Sequence, residues 1–152
     1  MNDKAQQYWD EFWSGKEAPT SVTAEQFGYG DLIDELAHLI VAGKKKATCS
    51  AFIHYDLEGA EIPSAGAYTI ILDSKENPVA IIKTTEVFLI KMNEVTQELA
   101  QEEGEGDLSL KHWYDGHKKF FIDELAEYGM EFSEDMLLVF ERFELVNTKE
   151  TS

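Results

Sequence analysis

Apolar residues along the chain follow two periods, and the changes between them mark the elements. Ala5, Tyr8, Trp9, Phe12 and Trp13 recur at the three-and-four spacing of one helical face. That predicts a helix over residues 3–14, with Asp3 as N-cap and Gly15 as the stop. Aromatic side chains at this spacing belong to a core; the alternative use is stacking on a nucleic-acid base. Residues 16–29 are polar, carry Pro19, Thr20, Ser21 and Thr23, and read as a long loop. Leu32, Ile33, Leu36, Leu39 and Ile40 restore the helical period over residues 31–42, and Gly43 supplies the C-terminal stop.

After Lys46 the period becomes two. Thr48, Ser50 and Phe52 would share one face of a strand, with Cys49, Ala51 and Ile53 on the other. Cys49 then reads as a small core residue. Glu58-Gly59 and residues 63–66 are turn material. The β-branched stretch 67–73 predicts a strand, residues 73–78 a hairpin loop, and 79–90 a long strand. Asn93 is the expected cap of a short helix that ends at Gly104-Glu105-Gly106. A longer helix begins at Asp107 or Ser109, runs to Tyr128, and carries Leu110, Trp113, His117, Phe120, Phe121 and Leu125 along one side. Residues 137–146 close the pattern as a strand, and 147–152 form a polar tail. Helices interleaved with strands on short turns predict an α+β fold: a small, mostly antiparallel barrel or sheet flanked by helices.

At 152 residues the chain has the size of a single domain, and at 43% hydrophobic residues it has the apolar material for a core. Its charge narrows the functional classes. Thirteen Lys and Arg against 30 Asp and Glu leave −17, which argues against long nucleic acid held by a broad basic face and against anionic membrane. One cysteine makes no internal disulfide, and no metal-ligand spacing is visible. The longest apolar run is too short to span a bilayer, and no signal peptide is apparent, so a cytoplasmic location is expected.

Two clusters could carry chemistry. Lys44-Lys45-Lys46 lies between a helix-ending glycine and a strand bearing Thr48. A lysine three residues before a threonine can share a cleft with it, and a neutral lysine can take the threonine proton and make a nucleophile. Equally, lysines at a helix C-terminus offset its dipole and stay solvated. Glu102-Glu103-Gly104-Glu105-Gly106-Asp107 is a glycine-interrupted acidic segment. It suits a general acid or base, a hard-cation site, or a solvated linker. His112 and His117 are five residues apart and do not stack as i, i+4 ligands would; His117 reads as a hydrogen-bonded packing residue.

In these motifs the chain resembles the ASCH-domain family of the PUA-like superfamily. The family's Gly-x-Lys-x-x-Thr element is matched by Gly43-Lys44-Lys45-Lys46-Ala47-Thr48. The longer bacterial branch is matched by Glu103-Gly104-Glu105-Gly106-Asp107, Ser109-Leu110, Trp113, His117 and Phe120-Phe121, in order. The resemblance implies a PUA-like β-barrel with helices around its mouth. Some small members remove the acetyl group from N4-acetylcytidine with a lysine, a threonine and a glutamate, which fall on Lys45, Thr48 and Glu103 here. Lys44, Lys46, Ser50, Glu105 and Trp113 are the candidates for substrate contact, and no cofactor or metal is implied. The expected substrate is a small neutral nucleoside. The rival readings are an RNA- or nucleotide-binding module, with Lys44–Lys46 on phosphates and aromatics on bases, and a metal-independent ribonuclease acting on short RNA. In the enzyme reading, Lys45→Ala and Thr48→Ala abolish hydrolysis and leave stability nearly intact.

Overall fold

The computed structural model describes residues 1–106 and 108–149. Helix α1 (Asp3–Phe12) is capped by Asn2 rather than Asp3: the Asn2 carboxamide oxygen accepts the Ala5 N–H at 2.7 Å. An extended Asn at this position can reach the free amides of the first turn, and Asp3, one residue inside, lends its charge to the same end. The helix lays Ala5, Tyr8 and Trp9 on the sheet beside Ile70, Leu72 and Ile81, so its aromatic stripe is core. Helix α2 (Leu32–Val41) buries Leu36, Ala37 and Ile40.

Five strands form one sheet in the order β1-β3-β4-β5-β2: β1 (Val22–Glu25), β2 (Ala47–Ala51), β3 (Tyr68–Leu72), β4 (Pro78–Lys91) and β5 (Leu137–Thr148). β1 falls inside the segment expected to be a loop. Only four residues long, it owes its extended form to parallel pairing with β3, Val22 against Tyr68 through Glu25 against Ile71. The other three pairings are antiparallel. Chain near β1 and β2, the two edges of the sheet, lines one common cavity, so the sheet is strongly curled. β5 reaches Thr148 and claims part of the expected tail: Asn147 pairs with Ile81, and its side chain accepts the Tyr8 hydroxyl at 2.7 Å.

The alternation from Thr48 stops at Ala51. Phe52 and Ile53 are the first residues of helix α3 (Phe52–Glu58), which ends on Gly59 in the left-handed region. A 3-10 turn (Met92–Glu94) occupies the position assigned to a helix capped by Asn93. The true cap of helix α4 (Gln97–Glu103) is Thr96, whose hydroxyl accepts the Leu99 N–H. Helix α5 (Leu110–Glu127) starts on Ser109, whose hydroxyl accepts the His112 N–H; the alternative start at Asp107 lies outside the described residues. Leu99, Ala100, Trp113 and Phe121 from these two helices pack on Ala47, Ala51, Leu138 and Phe140 of the sheet. Fully burying a ring such as Phe121 contributes about 1.5–3 kcal/mol, so this contact fixes where α4 and α5 sit. Among the described residues no helix is long and apolar enough to cross a membrane.

Candidate functional site

Helix α2 stops on Gly43, at φ +74°, and the amides of Lys44 and Lys45 both donate to the Leu39 carbonyl at 2.9 and 3.1 Å. The chain leaves this cap already extended, so successive side chains point to opposite sides. Lys44 and Lys46 face solvent, while Lys45 is driven inward and is 2% exposed. The lysine triplet is therefore split, and its outer two members line neither of the cavities described below.

The end of α4 docks against this segment. The Lys46 amide donates to the Glu102 carbonyl at 2.7 Å, and the Glu102 carboxylate takes two hydrogen bonds from Arg142, at 2.9 and 3.1 Å. Gly104, at φ +71°, ends the helix, and a Cβ there would stand 2.2 Å from the Lys44 carbonyl oxygen. Two backbones thus meet where only glycine fits. The following loop is tied back by Gln97, whose side chain donates to the Leu108 carbonyl and accepts the Leu110 amide.

This docking joins residues 58 and 60 positions apart. Lys45 Nζ lies 2.9 Å from Glu105 Oε2, 3.6 Å from Glu103 Oε2 and 3.3 Å from the Glu103 carbonyl oxygen. Glu103 Oε2 also meets His117 Nε2 at 3.1 Å. The other His117 nitrogen donates to the Trp113 carbonyl at 2.8 Å, and its ring stacks on Trp113 with centroids 4.3 Å apart. His117 is thus both a packed residue and a partner of the central carboxylate. Two buried polar atoms here have no partner: Glu103 Oε1 and Trp113 Nε1.

The electrostatics follow from burial and charge. Burial would push the Lys45 ammonium down, but Glu103 and Glu105 reverse that and raise it. The direction is opposite to the depression that a resting lysine base requires. Burial would raise Glu103, yet Lys45 and His117 outweigh it and hold the carboxyl well below the usual range. Glu105 is raised, chiefly by burial. For His117 burial acts downward, Glu103 outweighs it, and the net shift is upward. Burial first, and Glu103 next, push the Cys49 thiol up.

A cavity of about 250 Å³ opens on this cluster, with Lys45, Thr48, Cys49, Glu103, Glu105, Trp113 and His117 in its wall. Tyr29 and Phe120, stacked at 5.4 Å, add an aromatic side, and His112 lines it as well. Cys49 is half-buried in this wall rather than sealed in the core, because β2 lies at a sheet edge. A second cavity, about 720 Å³, occupies the mouth of the curled sheet and shares Gly28, Thr48 and Cys49 with the first. Ser50 lines it, bonded to the Tyr55 hydroxyl at 2.5 Å, together with Thr69, Thr84, Glu25 and Glu141. Glu141 faces Thr48 in register and is pushed up to about 7 by burial and then by Glu25.

Of the residues singled out in the sequence, Lys45, Thr48, Glu103, Glu105 and Trp113 share the smaller cavity, Ser50 lies in the larger, and Lys44 and Lys46 lie in neither. The partnership of His117 and Cys49 with Glu103, and the place of Glu141, were not foreseen. The chain interval from Trp113 to His117 is one helical turn, a signal consistent with a stacked pair.

The ASCH-domain profile matches residues 23–147. Among solved structures, the ASCH domain from Lactobacillus crispatus JV V101 is 34% identical, superposes with a TM-score of 0.91, and is matched over 95% of both chains. A protein from Enterococcus faecalis V583 is 40% identical with a TM-score of 0.80, over 94% of this chain and 85% of the other. No curated protein matches. With the profile covering most of the chain and two such relatives sharing its fold, the chain belongs to the ASCH-domain family of the PUA-like superfamily.

Proposed function

We propose that this protein hydrolyses the amide of a small N4-acylated cytosine nucleoside, such as N4-acetylcytidine, at the junction of its two cavities. The observation that carries the reading is the buried Lys45–Glu103 pair in the wall of a cavity that Thr48 also lines. At about 250 Å³ that cavity falls just below the usual size of ligand sites, which suits a small ligand, and the net charge of −17 disfavours a polyanion.

The two carboxylates beside Lys45 are driven in opposite directions, and such divergence assigns roles. Glu103, held low, stays ionised and keeps Lys45 in place. Glu105, raised and 2.9 Å from Lys45 Nζ, receives the ammonium proton when substrate replaces solvent. The neutral amine then takes the Thr48 hydroxyl proton as the oxygen bonds to the acyl carbon. Collapse of that adduct breaks the C–N bond, and the protonated His117 gives a proton to the departing amine. Water attacks the acyl-threonine, releases the carboxylic acid and restores the hydroxyl, and the proton left on Glu105 returns through solvent to His117, which closes the cycle.

The test is incubation with N4-acetylcytidine and chromatographic separation of cytidine. Turnover is expected in the native protein and a loss of about 10²-fold or more in Thr48→Ala. Unchanged turnover in Thr48→Ala would remove the nucleophile assignment. No turnover at high enzyme concentration, with salt-sensitive binding of short RNA, would transfer the assignment to a binding module.

A further inference from the structure

Cys49, Glu103 and His117 come from β2, α4 and α5, yet one donor atom from each lies within 4.8 Å of the other two. We propose that these three residues form an open site for one divalent transition metal ion, with zinc the best fit. A thiolate sulfur, an imidazole nitrogen and a carboxylate oxygen are the donors zinc takes, and three protein ligands leave a fourth position for water or substrate. All three residues line the 250 Å³ cavity, so that fourth position opens into it.

Three further observations fit the assignment. Glu103 is 1% exposed, and its Oε1 has no hydrogen-bond partner, a costly state for a buried carboxylate oxygen and one that a metal relieves. His117 Nδ1 donates to the Trp113 carbonyl at 2.8 Å, and stacking on Trp113 holds the ring flat. A backbone carbonyl bound to one ring nitrogen is how proteins orient the other toward a metal, here Nε2, which faces Glu103. Lys45, finally, has a carboxylate of its own: its Nζ lies 2.9 Å from Glu105 Oε2 against 3.6 Å from Glu103 Oε2. The sequence shows no ligand spacing because the donors are scattered over three elements.

The proposal does not depend on amide hydrolysis. It does imply that zinc inhibits that reaction, because Glu103 would serve both. Its test reads the metal directly. Metal-free protein is titrated with Co²⁺ alone, as a spectroscopic substitute for zinc, and then with Zn²⁺. Cys49 is the sole cysteine of the chain, so a thiolate-to-cobalt absorption band has one source. The expected result is such a band saturating at one cobalt per chain and abolished by one equivalent of zinc. It is absent in Cys49→Ser, while His117→Gln weakens affinity by more than the roughly 10–100-fold that loss of an outer-shell partner costs. His54→Gln, at a half-buried histidine of α3 that does not line the 250 Å³ cavity, leaves it unchanged. Thermal melts of the metal-free variants separate ligand loss from unfolding. The proposal is overturned by the absence of the band in folded native protein, by its persistence in Cys49→Ser, or by saturation at half an equivalent, which would mean a metal shared between two chains.

Discussion

Gly104 and Gly59 offer a matched pair for measuring what the approach of α4 to the lysine segment requires. Both end a seven-residue helix in the left-handed region, at φ +71° and +65°. They differ in surroundings: a Cβ at Gly59 meets nothing within 4 Å, whereas at Gly104 it lies 2.2 Å from the Lys44 carbonyl oxygen and 2.7 Å from its carbon. Alanine at either position bears about 1–2 kcal/mol for the left-handed conformation. At Gly104 the obstruction is backbone, which cannot swing aside, so overpacking adds about 1–3 kcal/mol. Moving the segments apart also strains the 2.7 Å bond from Lys46 N–H to the Glu102 carbonyl, and with it about 1 kcal/mol. Gly104→Ala should therefore lose roughly 3–6 kcal/mol against 1–2 for Gly59→Ala. Urea denaturation of the two variants measures the difference directly; for a chain of this size it corresponds to a gap in Tm of several degrees. Equal destabilisation would refute the idea that contact between the two backbones builds the site.

Two more predictions concern the charges of the site. The expectation that Lys45→Ala leaves stability intact does not survive the burial of its ion pair. Removing one partner strands Glu103 and should destabilise by about 3–5 kcal/mol, with the double variant Lys45→Met/Glu103→Gln recovering much of the loss in denaturant titrations. If the double variant is no better than Lys45→Ala, the pair is not the source of the loss. The pH dependence has a definite sign. His117 is raised from 6.5, so its contribution is complete below that value and fades as pH climbs through the folded pKa. Glu103 is lowered from 4.5, so its contribution is complete above that value and fades in acid. Stability followed from about pH 6 to pH 9 should fall less in His117→Gln than in the native protein; parallel curves would contradict the pairing with Glu103.

Much of the architecture is written in local pattern. The helical repeat of Leu32 to Ile40, the glycine stop at Gly43, the alternation from Thr48 and the long β-branched run after Pro78 each specify their element, because period and caps act within a few residues. Lys45, Thr48 and Glu103 stood out as a set only through the resemblance of their motifs to the ASCH-domain family, since the local pattern alone leaves solvated readings of both clusters open. Tertiary structure decided the rest. β1 is a strand because β3 offers it a parallel partner, not because four residues demand it. Phe52 and Ile53 continue the alternation on paper but turn into a helix. The middle lysine alone is buried because the extended exit from α2 points successive side chains to opposite sides, and its charge state is set by carboxylates 58 and 60 residues away. Proximity of that kind depends on how α4 and α5 pack on the sheet. Lys45 is consequently raised where isolated burial would lower it, and Cys49 joins Glu103 and His117 in one cavity wall instead of disappearing into the core.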